Sequence, residues 1–312
     1  LMRFAKSWRP VSLLAATLAC ILALGACSAG SLGSSDEGGG TTLTFLVDNA
    51  DGSVKPAQAL AEAFHAKNPD VTVQVQTRPG GSEGDNIVKT RLSTGEMTDV
   101  FLYNSGSLFQ ALNPKQNLTP VTGEAWAGQV EDAFKPVVSV DNELYGAPIT
   151  SASAGGILYN RKVYERLGLQ VPTTWAEFMA NNAKIKAAGI DPVIQTYQDT
   201  WTSQLFVLAD FHNLAAADPS WAEKYTAGQV KYAQEPAVKG FQRLEEVHKA
   251  GYENKNYRSM KFEKGVSDLA AGKGAHFPML TFAVGTLATS DPGRINDVGF
   301  FGQPGDDAAK AG

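Results

Sequence analysis

The chain contains 312 residues, 43% of them hydrophobic and 19% charged, and it carries a formal net charge of −5 at pH 7. This balance is typical of a globular chain long enough for two lobes. The acidic charge disfavours nucleic acid or an anionic membrane surface as a partner.

Residues 1–26 are predicted to form a bacterial export signal. Basic residues between Arg3 and Arg9 precede an uncharged apolar run, Val11 to Ala26, that is short for a membrane-spanning helix. The run ends in Leu24-Gly25-Ala26-Cys27, which resembles the lipobox of bacterial lipoproteins. The resemblance implies cleavage before Cys27 and lipidation of that cysteine. The alternative is an ordinary secretion signal with an incidental cysteine.

Residues 27–41 are predicted to be a flexible tether, since serine and glycine dominate and little apolar surface is available for burial. Cleavage before Cys27 removes Cys20, so the mature chain has no pair of cysteines for a disulfide.

Strand and helix patterns alternate through the first half of the globular part. Short apolar or alternating runs indicate strands, and one-sided apolar spacing indicates helices. In chain order the predicted elements are a strand at Thr42–Val47, a helix at Ser53–Lys67, a strand at Val71–Val75, a helix around Ile87–Leu92 and a strand at Asp99–Tyr103. Strands that alternate with helices predict a parallel α/β sheet.

Ligands of such sheets lie beyond the carboxyl ends of the strands. Four polar residues follow the first and third predicted strands and are therefore candidates to bind a ligand: Asn49, Asp51, Asn104 and Ser105. The structural alternative is that they form turns or cap helices, as Asn, Asp and Ser often do after strands.

The second half repeats the alternation. Glycine and proline at Gly146–Pro148 and Gly155-Gly156 interrupt the apolar pattern and mark the boundary between two lobes. Further strands are predicted at Ile157–Tyr159, Val193–Thr196, Ala275–Met279 and Val298–Phe301, and further helices at Asn160–Leu167, Thr174–Ala188, Trp201–Leu214 and Pro236–Ala250.

Several motifs in this half carry a resemblance to a known family. They are Leu144-Tyr145-Gly146-Ala147-Pro148, Gly156-Ile157-Leu158-Tyr159-Asn160, the run from Gly168 to Phe178, Gly189-Ile190-Asp191-Pro192 and Gly272-Lys273-Gly274-Ala275. In order and spacing they resemble the bacterial extracellular solute-binding proteins of the carbohydrate type (family 1), which serve ABC importers. The similarity extends from about Leu43 to Gly302.

The resemblance implies a two-lobed α/β fold of the periplasmic-binding-protein type, with a hinge and a cleft between the lobes. It places lobe 1 at 42–148, lobe 2 at 149–296 and a return crossing to lobe 1 at 297–312, where members of the family continue further. It also implies a monomer, anchored by lipid at the extracytoplasmic face of the cell membrane, that delivers a sugar or oligosaccharide to permease subunits without catalysis.

A neutral sugar offers hydroxyl groups for hydrogen bonds and weakly polar ring faces that suit flat aromatic side chains. Five further residues are therefore candidates to bind ligand: Tyr145, Gln198, Asp199, Trp201 and Phe282. Members of the family often carry Trp at the position of Phe282, so the stacking surface is expected to be smaller here. The structural alternative for Trp201 is packing of the helix that follows it.

Two alternatives remain open. The same fold could bind a polyol, a glycerol phosphodiester or a polyamine. A secreted serine hydrolase is the other, because Gly80-Gly81-Ser82-Glu83-Gly84 fits the G-x-S-x-G pattern and His276 follows later in the chain. Neither a metal site nor a cofactor is expected, since the four histidines are scattered and no nucleotide-binding glycine motif occurs.

Overall fold

The computed structural model describes residues 40–149 and 152–308. The predicted export signal, Cys27 and residues 27–39 of the predicted tether lie outside these residues, as do residues 309–312. No described helix combines the length and the apolarity that crossing a bilayer requires.

The first lobe is built on a parallel sheet of three strands in the order β2-β1-β3. The strands β1 (Thr41–Asp48), β2 (Val71–Arg78) and β3 (Val100–Phe101) alternate with the helices α1 (Asp51–Lys67) and α2 (Gly81–Thr94). β1 pairs with β2 along its whole length. The parallel α/β arrangement predicted from the sequence is confirmed.

Neighbouring residues of β1 serve opposite faces of this sheet, because side chains alternate along a strand. Phe45 and Val47 pack with Ala57 of α1 on one face. Leu46 packs with Val88 of α2 on the other. The two helices therefore cover both faces and leave the carboxyl edge of the strands open for other side chains.

Short elements complete the first lobe: α3 (Ser107–Gln110), α4 (Pro114–Asn117), β4 (Ser139–Val140) and β5 (Glu143–Leu144). β4 and β5 form an antiparallel hairpin, and its turn residues Asp141 and Asn142 both have positive φ, as a two-residue turn of this hand requires.

The second lobe is built on a sheet of four strands in the order β7-β8-β6-β9. The strands are β6 (Gly155–Asn160), β7 (Asp191–Val193), β8 (Gly274–Leu280) and β9 (Val298–Phe301). β7 runs parallel to β8, whereas β6 is antiparallel to both β8 and β9.

The helices of the second lobe flank this sheet. They are α5 (Arg161–Leu167), α6 (Trp175–Ala187), α7 (Leu205–Ala209), α8 (Phe211–Ala217), α9 (Trp221–Thr226), α10 (Lys239–Lys249), α11 (Phe262–Ala270) and α12 (Ala283–Ser290). Among the described residues, 3-10 turns lie at Ala127–Gln129, Lys135–Val138, Thr200–Gln204 and Pro292–Asp297.

Two hydrophobic clusters sandwich the second sheet. Ile157 of β6 packs with Phe178 of α6 in one cluster, and its neighbour Leu158 packs with Phe277 and Leu269 in the other. Each such side chain contributes about 1.5–3 kcal/mol when it is fully buried. The second lobe thus holds most of the large buried side chains of the described residues.

Capping residues identified in the sequence start two helices as expected. The Asn160 side chain accepts a hydrogen bond of 2.8 Å from the backbone N–H of Val163. Thr174 and Glu177 form a complete capping box ahead of α6.

Two elements differ from their predictions. α2 begins at Gly81, earlier than the helix predicted around Ile87–Leu92, and Gly84 in this helix lies so close to Pro79 and the Arg78 guanidinium that a Cβ would overlap both. The helix predicted at Trp201–Leu214 is divided into the 3-10 turn Thr200–Gln204, α7 and α8.

The last described residues stay with the second lobe. β9 pairs with β6, and the backbone N–H of Trp175 donates a hydrogen bond of 2.7 Å to the carbonyl of Gly305. Arg243 of α10 forms an ion pair of 3.0 Å with Asp306. The return crossing predicted for 297–312 is therefore not seen as far as Asp306, and the lobe boundaries stay predictions.

Candidate functional site

The carboxyl edge of the first sheet carries a set of polar side chains. Asp48 ends β1, where its carboxylate accepts hydrogen bonds from the N–H of Ala50 (3.0 Å) and the hydroxyl of Ser53 (2.6 Å). These bonds fix the turn into α1. The Asn49 side chain beside it is exposed and free to contact a ligand.

Asn49, Asn104 and Ser105 are brought together at this edge. Leu46 of β1 pairs with Phe101 of β3. Asn49 and Asn104 lie the same number of residues beyond this pair, so both follow their strands at the same edge of the sheet. Asn104 and Ser105 are both exposed. Asp51 instead lies at the start of α1, where its exposed carboxylate forms an ion pair of 2.9 Å with Lys55.

A buried arginine beneath this edge was missed by sequence reasoning. Arg78 is 7% exposed, and its guanidinium donates hydrogen bonds to the carbonyls of Pro79 (3.0 Å) and Leu102 (3.3 Å). It also lies 5.8 Å from the centroid of the Tyr103 ring. The alternating pattern of β2 gave no signal that its last side chain would be covered by the next helix.

Tyr103 follows β3 and stays a neutral hydroxyl at physiological pH. Burial, with a smaller effect of the nearby Asp85 carboxylate, raises the pKa of Tyr103 to about 12. Its hydroxyl nevertheless makes no well-directed hydrogen bond to Asp85 or to another described residue.

The second sheet contributes aromatic rings. β7 and β8 are parallel neighbours, so the segments that follow them lie at the same edge. Trp201 follows β7 and Phe282 follows β8, and both contact Phe262 at the start of α11, with ring centroids 5.6 Å and 5.4 Å apart. Trp201 and Phe282 are 6.1 Å apart. We call these three residues the aromatic cluster.

The aromatic cluster is anchored in the core and open on one side. Phe262 is buried, Trp201 is half-buried, and Phe282 is 42% exposed. Phe262 was not predicted from the sequence, because it lies far from Trp201 along the chain and only the folded structure brings the two rings together. The cluster offers an exposed aromatic ring, Phe282, that is supported by the rings of Trp201 and Phe262.

Of the polar candidates beside the cluster, one has a structural role. The Asp199 carboxylate accepts a hydrogen bond of 2.7 Å from the backbone N–H of Phe262 and so fixes the start of α11. The Gln198 side chain is exposed.

Tyr145 is placed elsewhere in the first lobe. It is half-buried, its backbone N–H donates to the carbonyl of Val138, and its ring lies 6.4 Å from that of Phe109. No contact of Tyr145 with the other candidates is present among the described residues.

The two sets of candidate residues approach each other where the lobes touch. A Cβ built on Gly81, in the first turn of α2, would lie 4.0 Å from the hydroxyl oxygen of Thr200, directly before Trp201. This contact joins the carboxyl edge of the first lobe to the segment that carries the aromatic cluster.

The geometry contradicts the serine hydrolase alternative. Ser82 is exposed in the first turn of α2, whereas His276 is fully buried in the second lobe. The Nε2 atom of His276 lies 2.6 Å from the Tyr164 hydroxyl, and Nδ1 lies 2.9 Å from Oδ1 of Asn182. Burial lowers the pKa of His276 to about 3. Because both ring nitrogens are engaged inside the core, His276 does not act as the base for Ser82.

No three His, Cys, Asp or Glu side chains in 40–149 and 152–308 gather into a potential metal site. The exposed side chains at the candidate site include carboxamide and hydroxyl groups and the Phe282 ring, which offer hydrogen bonds and a stacking surface.

Comparison with known proteins gives relatives along most of the chain. The multiple sugar-binding protein of Streptococcus mutans serotype c is 24% identical over 251 residues, which make up 78% of this chain and 57% of that protein. The sn-glycerol-3-phosphate-binding periplasmic protein of Shigella flexneri is 26% identical over 223 residues, or 68% of this chain and 50% of that protein. The chain thus spans about half the length of these curated relatives.

The fold is also similar to that of solved structures. A chitin oligosaccharide binding protein superposes with a TM-score of 0.74 and 22% identity, and the match covers 86% of this chain and 68% of that one. A solute-binding protein in complex with raffinose gives a TM-score of 0.71 and 23% identity, with 87% and 70% covered. Likenesses at this level of identity establish the two-lobed fold.

The family resemblance noted in the sequence is confirmed over a longer stretch than the motifs alone. A family model for the bacterial extracellular solute-binding proteins matches residues 50–311. This chain belongs to the bacterial extracellular solute-binding protein family.

Proposed function

We propose that this protein is the extracytoplasmic solute-binding component of an ABC importer, and that it binds a neutral sugar or oligosaccharide in a cleft between its lobes. The membership of the family supports the binding role. A relative described as a multiple sugar-binding protein, and a fold similar to a chitin oligosaccharide binding protein and to a protein solved in complex with raffinose, support the choice of ligand.

The observation that carries the proposal is the presence of two kinds of exposed surface, one on each lobe. Exposed carboxamide and hydroxyl groups of Asn49, Asn104 and Ser105 follow strands of the first sheet, and the exposed ring of Phe282 follows β8 of the second sheet. Hydroxyl groups of a sugar suit the first surface, and the weakly polar face of its ring suits the second.

The charges near these surfaces support a neutral ligand. Asp48 and Asp199 are engaged by backbone and hydroxyl donors, and Asp51 is paired with Lys55. A glycerol phosphodiester or a polyamine would need a charged partner in the site to offset its loss of water. A neutral polyol stays compatible with this chemistry, although it offers no ring face for the aromatic cluster.

Weak contacts are sufficient for this role. Binding at micromolar strength corresponds to about −8 kcal/mol. Several hydrogen bonds at about 0.5–1.5 kcal/mol each, together with one or two stacked rings of similar contribution, reach that value. Specificity follows because a sugar with a missing or misplaced hydroxyl leaves a polar group of the site unpaired.

The lipobox-like run that ends at Cys27 supports a proposal for the location. We infer that Cys27 carries a lipid anchor that holds the protein, as a monomer, on the extracytoplasmic face of the membrane beside the permease. Loss of membrane association after Cys27→Ser, measured by cell fractionation, is the expected result.

The binding proposal is tested by calorimetry of the purified protein with a panel of neutral mono- and oligosaccharides. At least one sugar should bind with saturation, and Phe282→Ala should weaken it by about threefold to tenfold, because one stacked face is lost. Phe64→Ala is a matched control, since Phe64 is equally exposed, at 42%, but lies on α1 away from the site. Absence of binding to every sugar, or equal losses in the two variants, would contradict the proposal.

A further inference from the structure

Arg78, the last residue of β2, reaches across the carboxyl edge of the first sheet. In the strand order β2-β1-β3, the strand β1 lies between Arg78 and Leu102, which follows β3. The guanidinium nevertheless donates a hydrogen bond of 3.3 Å to the Leu102 carbonyl and another of 3.0 Å to the carbonyl of Pro79. One side chain therefore joins the segments that follow two strands about 9–10 Å apart.

The bond to Leu102 stands where the backbone ladder ends. The N–H of Leu102 continues the ladder with a bond of 2.8 Å to the carbonyl of Leu46 in β1. The carbonyl of Leu102 accepts no N–H from the backbone of a described residue, and the Arg78 guanidinium is its donor. Arg78 thus holds the point at which the edge strand β3 passes into a loop.

The loop beyond Leu102 has few other restraints. β3 itself contains only two residues. Within the part of the chain that the structure describes, Tyr103, Asn104 and Ser105 make no backbone hydrogen bond, and the next such bond is donated by the N–H of Gly106 at 2.7 Å. The positions of Asn104 and Ser105 therefore depend on how Leu102 and Gly106 are held on either side of them.

Arg78 is itself held firmly and is shielded from a ligand. It is 7% exposed, and its guanidinium lies 5.8 Å from the centroid of the Tyr103 ring. Gly84 of α2 passes so close to the guanidinium that a Cβ there would overlap it. Because α2 covers the side chain and two of its nitrogens donate to carbonyls, Arg78 acts through the backbone of Leu102 and not by touching the ligand.

We propose that Arg78 is a positioning residue for ligand binding, because it sets the place of the Asn104 and Ser105 side chains at the carboxyl edge of the first sheet. Arginine suits this role, since its planar fork of donors addresses two carbonyls at once. The link to binding rests on the proposed function of the cleft. The ordering of Asn104 and Ser105 does not.

Backbone order parameters from ¹⁵N relaxation of the ligand-free protein test the ordering. The amides of Asn104 and Ser105 should be rigid in the unchanged protein, with values of about 0.85, and should fall below about 0.6 in Arg78→Met. Leu46 should keep its value, because the β1 ladder does not depend on Arg78.

Two further variants make this measurement decisive. Arg91→Met is the matched control, since the Arg91 guanidinium also bonds to a residue of β2, Gln76, but to no carbonyl beyond β3. It should leave Asn104 and Ser105 rigid. If Arg78→Met does not fold, Arg78→Lys takes its place, because lysine keeps the charge but lacks the planar fork, and it should loosen the same two residues.

A double-mutant cycle tests the link to binding by calorimetry with raffinose, maltotriose and chitotriose. For a sugar that binds the unchanged protein, Arg78→Met and Asn104→Ala should each raise the Kd about twofold to tenfold. In the Arg78→Met background, Asn104→Ala should raise the Kd less than about twofold further, because a carboxamide that is no longer positioned contributes little.

Unchanged order at Asn104 and Ser105 in Arg78→Met would overturn the proposal. An equal loss of order at Leu46 would do the same, since Arg78 would then support the whole sheet and not the site. Additive effects of Arg78→Met and Asn104→Ala on the Kd would reject the link to binding. If no sugar binds the unchanged protein, the proposed function fails, while the order parameters still decide the role of Arg78.

Discussion

The two halves of the candidate site are built in different ways. In the first lobe the candidate side chains lie on turns that follow short strands, and they are exposed and free of the core. In the second lobe the aromatic cluster extends from a buried hydrophobic cluster that includes Phe262 and Phe277. Substitutions in the first half are therefore expected to change binding alone, whereas substitutions in the second half also change stability.

The largest expected effect is on the stability of the second lobe. Arg243 and Asp210 form an ion pair whose side chains are 6% and 5% exposed. Arg243→Met leaves the Asp210 carboxylate buried without its partner and should lower the free energy of unfolding by about 3–5 kcal/mol. Urea denaturation measures this loss.

An exposed pair in the first lobe provides the contrast. Lys55→Met breaks the pair with Asp51, whose side chains are 58% and 79% exposed, and should change the free energy of unfolding by less than about 1 kcal/mol. Equal losses of unfolding free energy in Arg243→Met and Lys55→Met would contradict the expected difference between a buried and an exposed ion pair.

An intermediate effect is expected from pH. The unfolded chain protonates His276 near pH 6.5, whereas in the folded protein burial lowers the pKa of His276 to about 3. Between these values the unfolded state binds one more proton, so stability falls as the pH falls below 6.5, by up to about 1.4 kcal/mol per pH unit from this residue. His276→Gln should flatten that part of the curve of unfolding free energy against pH. A curve of unchanged slope would show that other groups set the acid sensitivity.

The smallest effect concerns the first half of the site. Asn104→Ala removes one exposed carboxamide and should weaken sugar binding by about 0.5–1.5 kcal/mol, with the free energy of unfolding unchanged. Calorimetry and urea denaturation of the same variant separate the two quantities. A loss of stability as large as the loss of binding would show that Asn104 supports the fold and not the ligand.

The sequence predicted the features that depend on local chemistry. The alternation of strands and helices, the cap at Asn160 and the capping box of Thr174 with Glu177 involve residues close together in the chain, and all three are present. The side chains after β1 and β3 could be placed at one edge because parallel strands share that edge.

Features that depend on tertiary packing were harder to predict from the sequence. Arg78 and Phe262 were missed because their burial depends on tertiary packing: α2 packs against Arg78, and Trp201, far away in the chain, packs against Phe262. Asp51 and Asp199 were predicted to bind a ligand, but Asp51 forms a surface ion pair and Asp199 fixes the start of a helix. The sequence alone does not distinguish these structural roles of a carboxylate from ligand binding.

The contact between Gly81 and Thr200 has a kinetic consequence. Gly81 has a φ of +64° and presents only backbone to the opposite lobe, so no side chain at this position interlocks with Thr200. At this position no side chain of the first lobe locks the two lobes together. The residence time of a bound ligand is then expected to depend on the ligand's own contacts with the protein and little on this contact between the lobes.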